Sequence, residues 1–281
     1  MNFQELRLSA LQLSHSILGS GSSNTVNLFA LADDIVNYVS GRRRGGLSAS
    51  LDDYKRRLLE ITFEQFFQNC SVRNPIVGIT TPTPREYQLE IARKLSESPV
   101  LLVNAARQSG ITTVLQLIAL HTALYKSNQT ISVFTQKNAW VRDFMERLWE
   151  VYDRLEIPKP GVVSRSNELG VFSNGSSITC KSAASARSSC GTKNTLAIVD
   201  NAGYISDSVF AEIVADLTVN SSRTVYATTG VPYNGTLANM FRSGKFNSVC
   251  VDYTQLSWEI SPTYYADPEK FAIEFACKLP N

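Results

Sequence analysis

The sequence predicts an α/β fold in which a mostly parallel sheet is covered on both faces by helices. Three observations predict it. Beyond Pro99, short apolar runs (Val100–Val103, Thr130–Phe134, Leu196–Val199 and Thr224–Ala227) alternate with stretches of helical periodicity. The runs are continuous in their apolar character rather than alternating, as strands buried on both faces require. The length, 281 residues with 43% hydrophobic content, is enough for one large domain with a substantial core.

Taken in chain order, residues 1–46 read as a helical segment and a basic linker, and residues 47–281 as the main domain. Leu6, Leu8, Leu11, Leu13, Ile17 and Leu18 crowd one helical stretch, a Gly/Ser turn follows, and Val26 to Val39 is periodic again. Gly41-Arg42-Arg43-Arg44-Gly45-Gly46 is the linker; three arginines supply few phosphate contacts, so a solvated loop is the simpler reading. Ser50 is an expected N-cap for a helix running through Tyr54, Leu58, Leu59, Phe63, Phe66 and Phe67. A Pro-rich connector leads to a helix over Tyr87 to Leu95, with Pro84 expected in its first turn. Further helices are expected from Thr112 to Lys126, Asn138 to Leu155 and Ser208 to Leu217. Trp140, Phe144, Leu148, Trp149 and Tyr152 form the apolar side of the second of these. Val171-Phe172 and Ile178-Thr179-Cys180, joined through Asn174-Gly175-Ser176, read as a hairpin, and Val249-Cys250-Val251 as the last strand.

Composition excludes several classes. Lys+Arg number 27 against Asp+Glu 25, so any nucleic-acid contact must come from a local patch. No apolar run is long enough for a membrane-spanning helix, and Met1-Asn2-Phe3-Gln4-Glu5 lacks the basic start of a signal peptide. Five scattered cysteines without a CxxC pair, and two histidines, argue for reduced, buried thiols rather than a zinc site. His121 is expected to be packed or at the surface, and Ser185 to Cys190 to be a polar loop.

Chemistry concentrates in three segments. The first apolar run is followed by Asn104-Ala105-Ala106-Arg107-Gln108-Ser109-Gly110-Ile111-Thr112-Thr113 and then a helix. This is the layout of a phosphate-binding loop, in which amides at a helix N-terminus hold phosphates and a hydroxyl holds Mg²⁺. Gly110 and Thr112 occupy the expected places, but Ile111 stands where a lysine is required and the early glycine is absent. Alone, the segment reads better as an ordinary strand-to-helix turn. The second segment, Leu196 to Val199 followed by Asp200-Asn201, is an apolar strand ending in an acid that can orient Mg²⁺; Asn201 stands where an active ATPase has glutamate. The third, Val225 to Gly235, is a strand ending in Thr228 and Thr229, hydroxyls placed to sense a γ-phosphate or simply to cap the strand.

In this order the segments resemble the ATPase domain of phage terminase large subunits, the motors that pump DNA into viral heads, and most of all the T4-like ones. Pro84-Arg85-Glu86-Tyr87-Gln88-Leu89 resembles the adenine-recognising segment of that family, with Gln88 as the reader. Ala106 to Thr113 resembles its Arg-Gln-x-Gly-Lys-Thr-Thr loop, Val199 to Ile205 its acid-bearing strand end, and Ala227 to Gly235 its coupling motif. Asn174 to Ile178 and Gly191 also match a family stretch in order. The resemblance runs over roughly residues 50 to 275 and implies a P-loop NTPase fold of the ASCE, RecA-like kind. It implies nucleotide contacts from Gln88, Arg107, Gln108, Ser109, Gly110, Thr112 and Thr113, Mg²⁺ contacts from Thr112 and Asp200, and coupling through Thr228 and Thr229. The family's appended nuclease is not expected within this chain.

Both signature charges are replaced, by Ile111 and Asn201, so the resemblance implies ATP and Mg²⁺ binding that is weak or lost and no confident catalytic residue. The expected function is a catalytically degenerate, terminase-like scaffold or regulator of virion assembly or DNA packaging. Its partners would be a portal, a capsid, a true terminase or further copies of itself, in the host cytoplasm or the virion. The alternatives are an active packaging ATPase subunit with atypical motifs and its nuclease on another chain, and a DNA-binding module using Arg42, Arg43, Arg44 and Lys55-Arg56-Arg57. Arg187 is a candidate trans-acting finger in an oligomer.

Overall fold

A computed structural model describes residues 61–74, 77–183, 191–231, 234–256 and 267–278. The expected N-terminal helical segment, Arg42, Arg43, Arg44, Lys55-Arg56-Arg57 and Arg187 lie outside the described residues.

The first described helix, α1 (Phe63–Gln68), does not continue a helix from Ser50 as the periodicity suggested. Thr62 is an extended N-cap: its Oγ1 accepts from Gln65 N (3.2 Å) and Gln65 Oε1 accepts from Thr62 N (3.0 Å). This reciprocal cap starts a new helix where apolar spacing alone reads straight through. The connector after it holds a short antiparallel pair, β1 (Val72–Asn74) and β2 (Gly78–Thr80), too short for a strand signal. Helix α2 (Glu86–Glu97) begins after Arg85, so Pro84 precedes the cap rather than lying in the first turn. The start is set by Gln88, whose Oε1 accepts from Arg85 N at 3.0 Å.

The remaining strands are β3 (Val100–Ala105), β4 (Thr130–Thr135), β5 (Val162–Arg165), β6 (Leu169–Phe172), β7 (Ser177–Ser182), β8 (Leu196–Val199), β9 (Thr224–Thr228) and β10 (Asn247–Val251). They form one eight-stranded sheet in the order β10-β3-β9-β8-β4-β7-β6-β5. The pairs from β10 through β7 are parallel, and β6 and β5 add an antiparallel edge through the predicted hairpin. Strand β5, exposed along its length, carries no apolar pattern for sequence reading to find.

Alternate residues of the central strands feed two cores. Leu101, Val103, Ile198, Val225 and Ala227 face one cluster with helices α1, α2, α3 (Ile111–Tyr125) and α4 (Asn138–Arg154). Leu102, Ala197, Val199 and Tyr226 face the other with α5 (Asp207–Asn220) and α6 (Thr236–Arg242). Helix α3 is apolar nearly all round because α1, α2 and α4 cover what the sheet does not. Phe144 and Trp149 are buried, as expected, whereas Trp140 is only half-buried and sets its ring edge-on to Tyr204 (centroids 6.3 Å apart). His121 is half-buried, with Nε2 2.8 Å from the Ile61 carbonyl. Cys70, Cys180 and Cys277 are buried, but Cys250 is exposed, because β10 is an edge strand.

A last helix, α7 (Pro268–Glu274), started by Asp267 accepting from Glu269 N and Lys270 N, packs at the C-terminal ends of β3, β9 and β10. No described helix is long and apolar enough to cross a membrane.

Candidate functional site

Parallel strands put all their C-terminal ends on one edge, and in open α/β sheets that edge is where ligands bind. The loop after β3, Asp200 after β8 and Thr228 at the end of β9 therefore converge there. Strand β9 lies between β3 and β8, so loop and acid are two strand spacings apart, about 9–10 Å. Helix α3 closes the gap: Thr112 Oγ1 donates to Asp200 Oδ2 at 3.0 Å and Oδ1 at 3.3 Å.

The loop is built to expose amides. Gln108 (φ 62°) and Gly110 (φ 76°) are left-handed, and Gly110 is the N-cap of α3. A side chain at Gly110 would be strained at that φ and would reach within 3.5 Å of Gln88 Nε2. Among the described residues, the amides of Gln108, Gly110, Ile111, Thr112 and Thr113 meet no acceptor. Five such donors at the N-terminus of a fifteen-residue helix are the kind of groups from which an anion could accept hydrogen bonds. Ser109 is buried with its Oγ unpartnered, and its carbonyl accepts from Tyr87 Oη at 2.7 Å. That bond ties α2, and Gln88 on it, to the loop. A cavity of about 410 Å³ opens beside this junction, lined by Arg85, Glu86, Tyr87, Glu90, Gln255 and Leu256. Another cleft, about 360 Å³, extends along α2 to Lys126, Thr195 and Arg223 at the opposite strand ends, away from the loop.

Ile111 and Asn201, the two positions at which the sequence departs from the family pattern it resembles, have definite places in the structure. Ile111 is 7% exposed and belongs to the apolar core rather than projecting across the loop. Asn201 is left-handed (φ 57°, ψ 41°), a conformation asparagine tolerates and glutamate does not readily adopt. Its backbone and side chain both hydrogen-bond to Asp200. Asp200 is 3% exposed, and burial pushes its carboxyl up to about 6; the bonds from Thr112 and Asn201 pull it partly back. Among the described residues no three His, Cys, Asp or Glu side chains cluster. A cation at Asp200 and Thr112 would thus take its remaining oxygens from phosphate and water, which is how Mg²⁺ binds in nucleotide sites. The hydroxyl–carboxylate pair fits that donor set.

Thr228 is engaged rather than open. Its Oγ1 accepts from Gly203 N (3.1 Å) and donates to the Gly230 carbonyl (2.8 Å). Gly230 N in turn donates to Asn104 Oδ1 at 3.2 Å, so the ends of β3, β8 and β9 form one network. Thr229 is half-buried beside it. Arg107, expected at phosphate, is held by Glu274: Nε donates to Oε2 at 2.7 Å and Nη2 to Oε1 at 3.2 Å. Nη2 also donates to Tyr204 Oη at 2.6 Å. Sequence reading missed the roles of Glu274, Tyr204 and Asn104: Asn104 and Tyr204 stand inside the segments quoted above without an assigned task, and Glu274 lies outside all of them.

The order in which β9 separates the loop strand from the acid strand is that of the ASCE-type P-loop fold. No family model matches the chain. Among solved structures it is similar to the large terminase ATPase domain of Thermus phage P74-26, in a point-mutant form, with TM-score 0.58 and 18% identity over 70% of this chain and 94% of that one. It is also similar to the large terminase of bacteriophage HK97 (TM-score 0.54, 15% identity, 77% of this chain and 47% of that one). The large terminase of a thermophilic bacteriophage in complex with ADP gives TM-score 0.55 and 11% identity over 70% of this chain and 54% of that one. The chain thus spans about half the length of the latter two, and at these identities the likeness is one of fold.

Proposed function

We propose that this chain is a terminase-like nucleotide-binding domain whose hydrolytic turnover is lost or nearly so, serving as a scaffold or regulator in phage DNA packaging or virion assembly. The observation that carries the reading is the pairing of a phosphate loop with open amides and the Thr112–Asp200 oxygens, while both catalytic charges are missing. The loop amides would bind the β- and γ-phosphates, and Gln88 with the cavity beside Tyr87 would receive the base. Thr112 and Asp200 would hold Mg²⁺, which when bound neutralises phosphate charge.

What the residues cannot supply follows from their chemistry. Replacing the lysine removes a donor to the transferring phosphoryl group, a loss on the order of 10²–10³ in rate. Without a carboxylate at position 201 no group there can accept the proton of the attacking water, about 10²–10⁴. The two losses need not multiply, because such groups act as a unit. Either one leaves turnover too slow for a motor. Because the fold is that of packaging ATPases, the partners in this reading are a portal, a capsid or an intact terminase.

Calorimetry with ATP and Mg²⁺, together with an ATPase assay with and without DNA, tests the proposal. Saturable binding with negligible turnover is expected. Robust turnover abolished by Asp200→Ala would make the chain a working ATPase with unusual motifs.

A further inference from the structure

With Ile111 in place of lysine, Arg107 is the only cation between Asn104 and Thr113, and it already has a carboxylate. Glu274, at the C-terminal end of α7, binds it through two hydrogen bonds, at 2.7 and 3.2 Å. The two residues are far apart in the chain and also meet through their main chains, Arg107 N donating to the Glu274 carbonyl at 3.1 Å. The neighbouring loop amide, Ala106 N, is likewise taken, by the Val251 carbonyl at 2.7 Å.

The segment bearing Glu274 is fastened over the strand ends by further bonds. Tyr253 N donates to the Phe275 carbonyl (2.8 Å), Asn104 Nδ2 to the Cys277 carbonyl (3.2 Å) and Cys277 Sγ to the Val251 carbonyl (3.1 Å). Phe271 stacks on Phe275 and meets Tyr253 edge-on. A Cβ at Gly230 would already touch Ile273 at 3.0 Å, so the turn after β9 and α7 lie in close contact. The ion pair is asymmetric: the Glu274 side chain is 10% exposed and that of Arg107 44%. The carboxylate is fixed in the protein, and the guanidinium is the member that can turn toward solvent.

We infer that Glu274 is an internal competitor for phosphate: residues 267–278 hold the arginine of the loop, and a nucleotide engages it only by parting that pair. This rests on the loop being a phosphate site. A carboxylate and a phosphate oxygen make the same charge-assisted contact with a guanidinium, so they compete for one donor set. The negative charge of Glu274 also opposes an approaching triphosphate. Glu274→Gln keeps the shape and one acceptor for Arg107 while removing the negative charge and weakening the competing contact to a neutral hydrogen bond.

The test measures ATPγS binding with Mg²⁺ to the full chain, its Glu274→Gln variant and the Glu274→Gln/Arg107→Ala double variant. Amide exchange of residues 267–278 is followed with and without ATPγS. The inference expects Glu274→Gln to bind about ten-fold more tightly or better, the double variant to lose that gain, and ATPγS to speed exchange in the segment. Equal or weaker binding by Glu274→Gln, or protection of 267–278 by ATPγS, overturns it while the nucleotide-site reading stands. Should no variant bind ATPγS, that reading fails and takes this inference with it. If Glu274→Gln is poorly folded, the exchange measurement on the wild-type chain decides alone.

Discussion

Asp200→Asn should stabilise the nucleotide-free protein while impairing its site. The carboxyl ordinarily titrates near 3.8 and burial raises it to about 6 in the folded chain. Ionised Asp200 is therefore a net cost to folding. At 1.36 kcal/mol per pH unit, the difference corresponds to about 3 kcal/mol. The sign follows from proton counting. Between pH 4 and 6 the folded state binds a proton that the unfolded state has released, so stability from this group falls as pH rises through that window. Above about 6 the wild type carries the full cost; below about 4 it carries none. An asparagine has no charge to bury and keeps an oxygen for Thr112 Oγ1. Thermal and urea unfolding in EDTA should place Asp200→Asn above wild type by up to about 3 kcal/mol at pH 7.5, with the gap closing at pH 4. Magnesium nucleotide should stabilise wild type more than the variant. A variant less stable than wild type at pH 7.5, or a gap unchanged at pH 4, would refute the argument that burial of the charge dominates.

Two other substitutions probe the site and its support. Ile111→Lys removes an apolar side chain from the core, a loss of about 1.5–3 kcal/mol, but should tighten ATPγS binding if its amine reaches the phosphates; unchanged affinity in a titration would mean the backbone of α3 aims position 111 irretrievably inward. Gly170→Ala places a methyl 2.7 Å from the Trp149 ring. That ring is held by Tyr152, Phe172, the Arg165 guanidinium at 4.7 Å and a hydrogen bond from Nε1 to the Ser166 carbonyl. It has little room to yield, so urea unfolding should register a loss of about 1–3 kcal/mol, and an unshifted midpoint would contradict this.

Much of the candidate site was legible because its signals are local. Thr112 and Asp200 were each singled out from the local pattern, a hydroxyl at a helix start and an acid at a strand end, and paired through the resemblance; they meet at 3.0 Å. Gln88 entered the candidate site only through the family resemblance, as an adenine reader, and its amide nitrogen lies 3.5 Å from where a Gly110 Cβ would sit. Arg107 was legible as a loop residue but not as half of an ion pair, since nothing around Glu274 marks it as a partner. Thr62, the residue that breaks the helix expected from Ser50, has a capping-box signature that apolar spacing overrode.

What the sequence by itself determined was the set of central elements and the identity of the residues at positions 111 and 201. Continuous apolar runs make buried strands, helical periodicity and caps make the helices between them, and Ile111 and Asn201 are simply not a lysine and a glutamate. Only the tertiary structure decided that β9 lies between β3 and β8, that Ile111 turns into the core, and that Glu274 holds Arg107. Strand order and such pairings arise from packing among side chains remote along the chain, whose energies no local pattern of residues encodes.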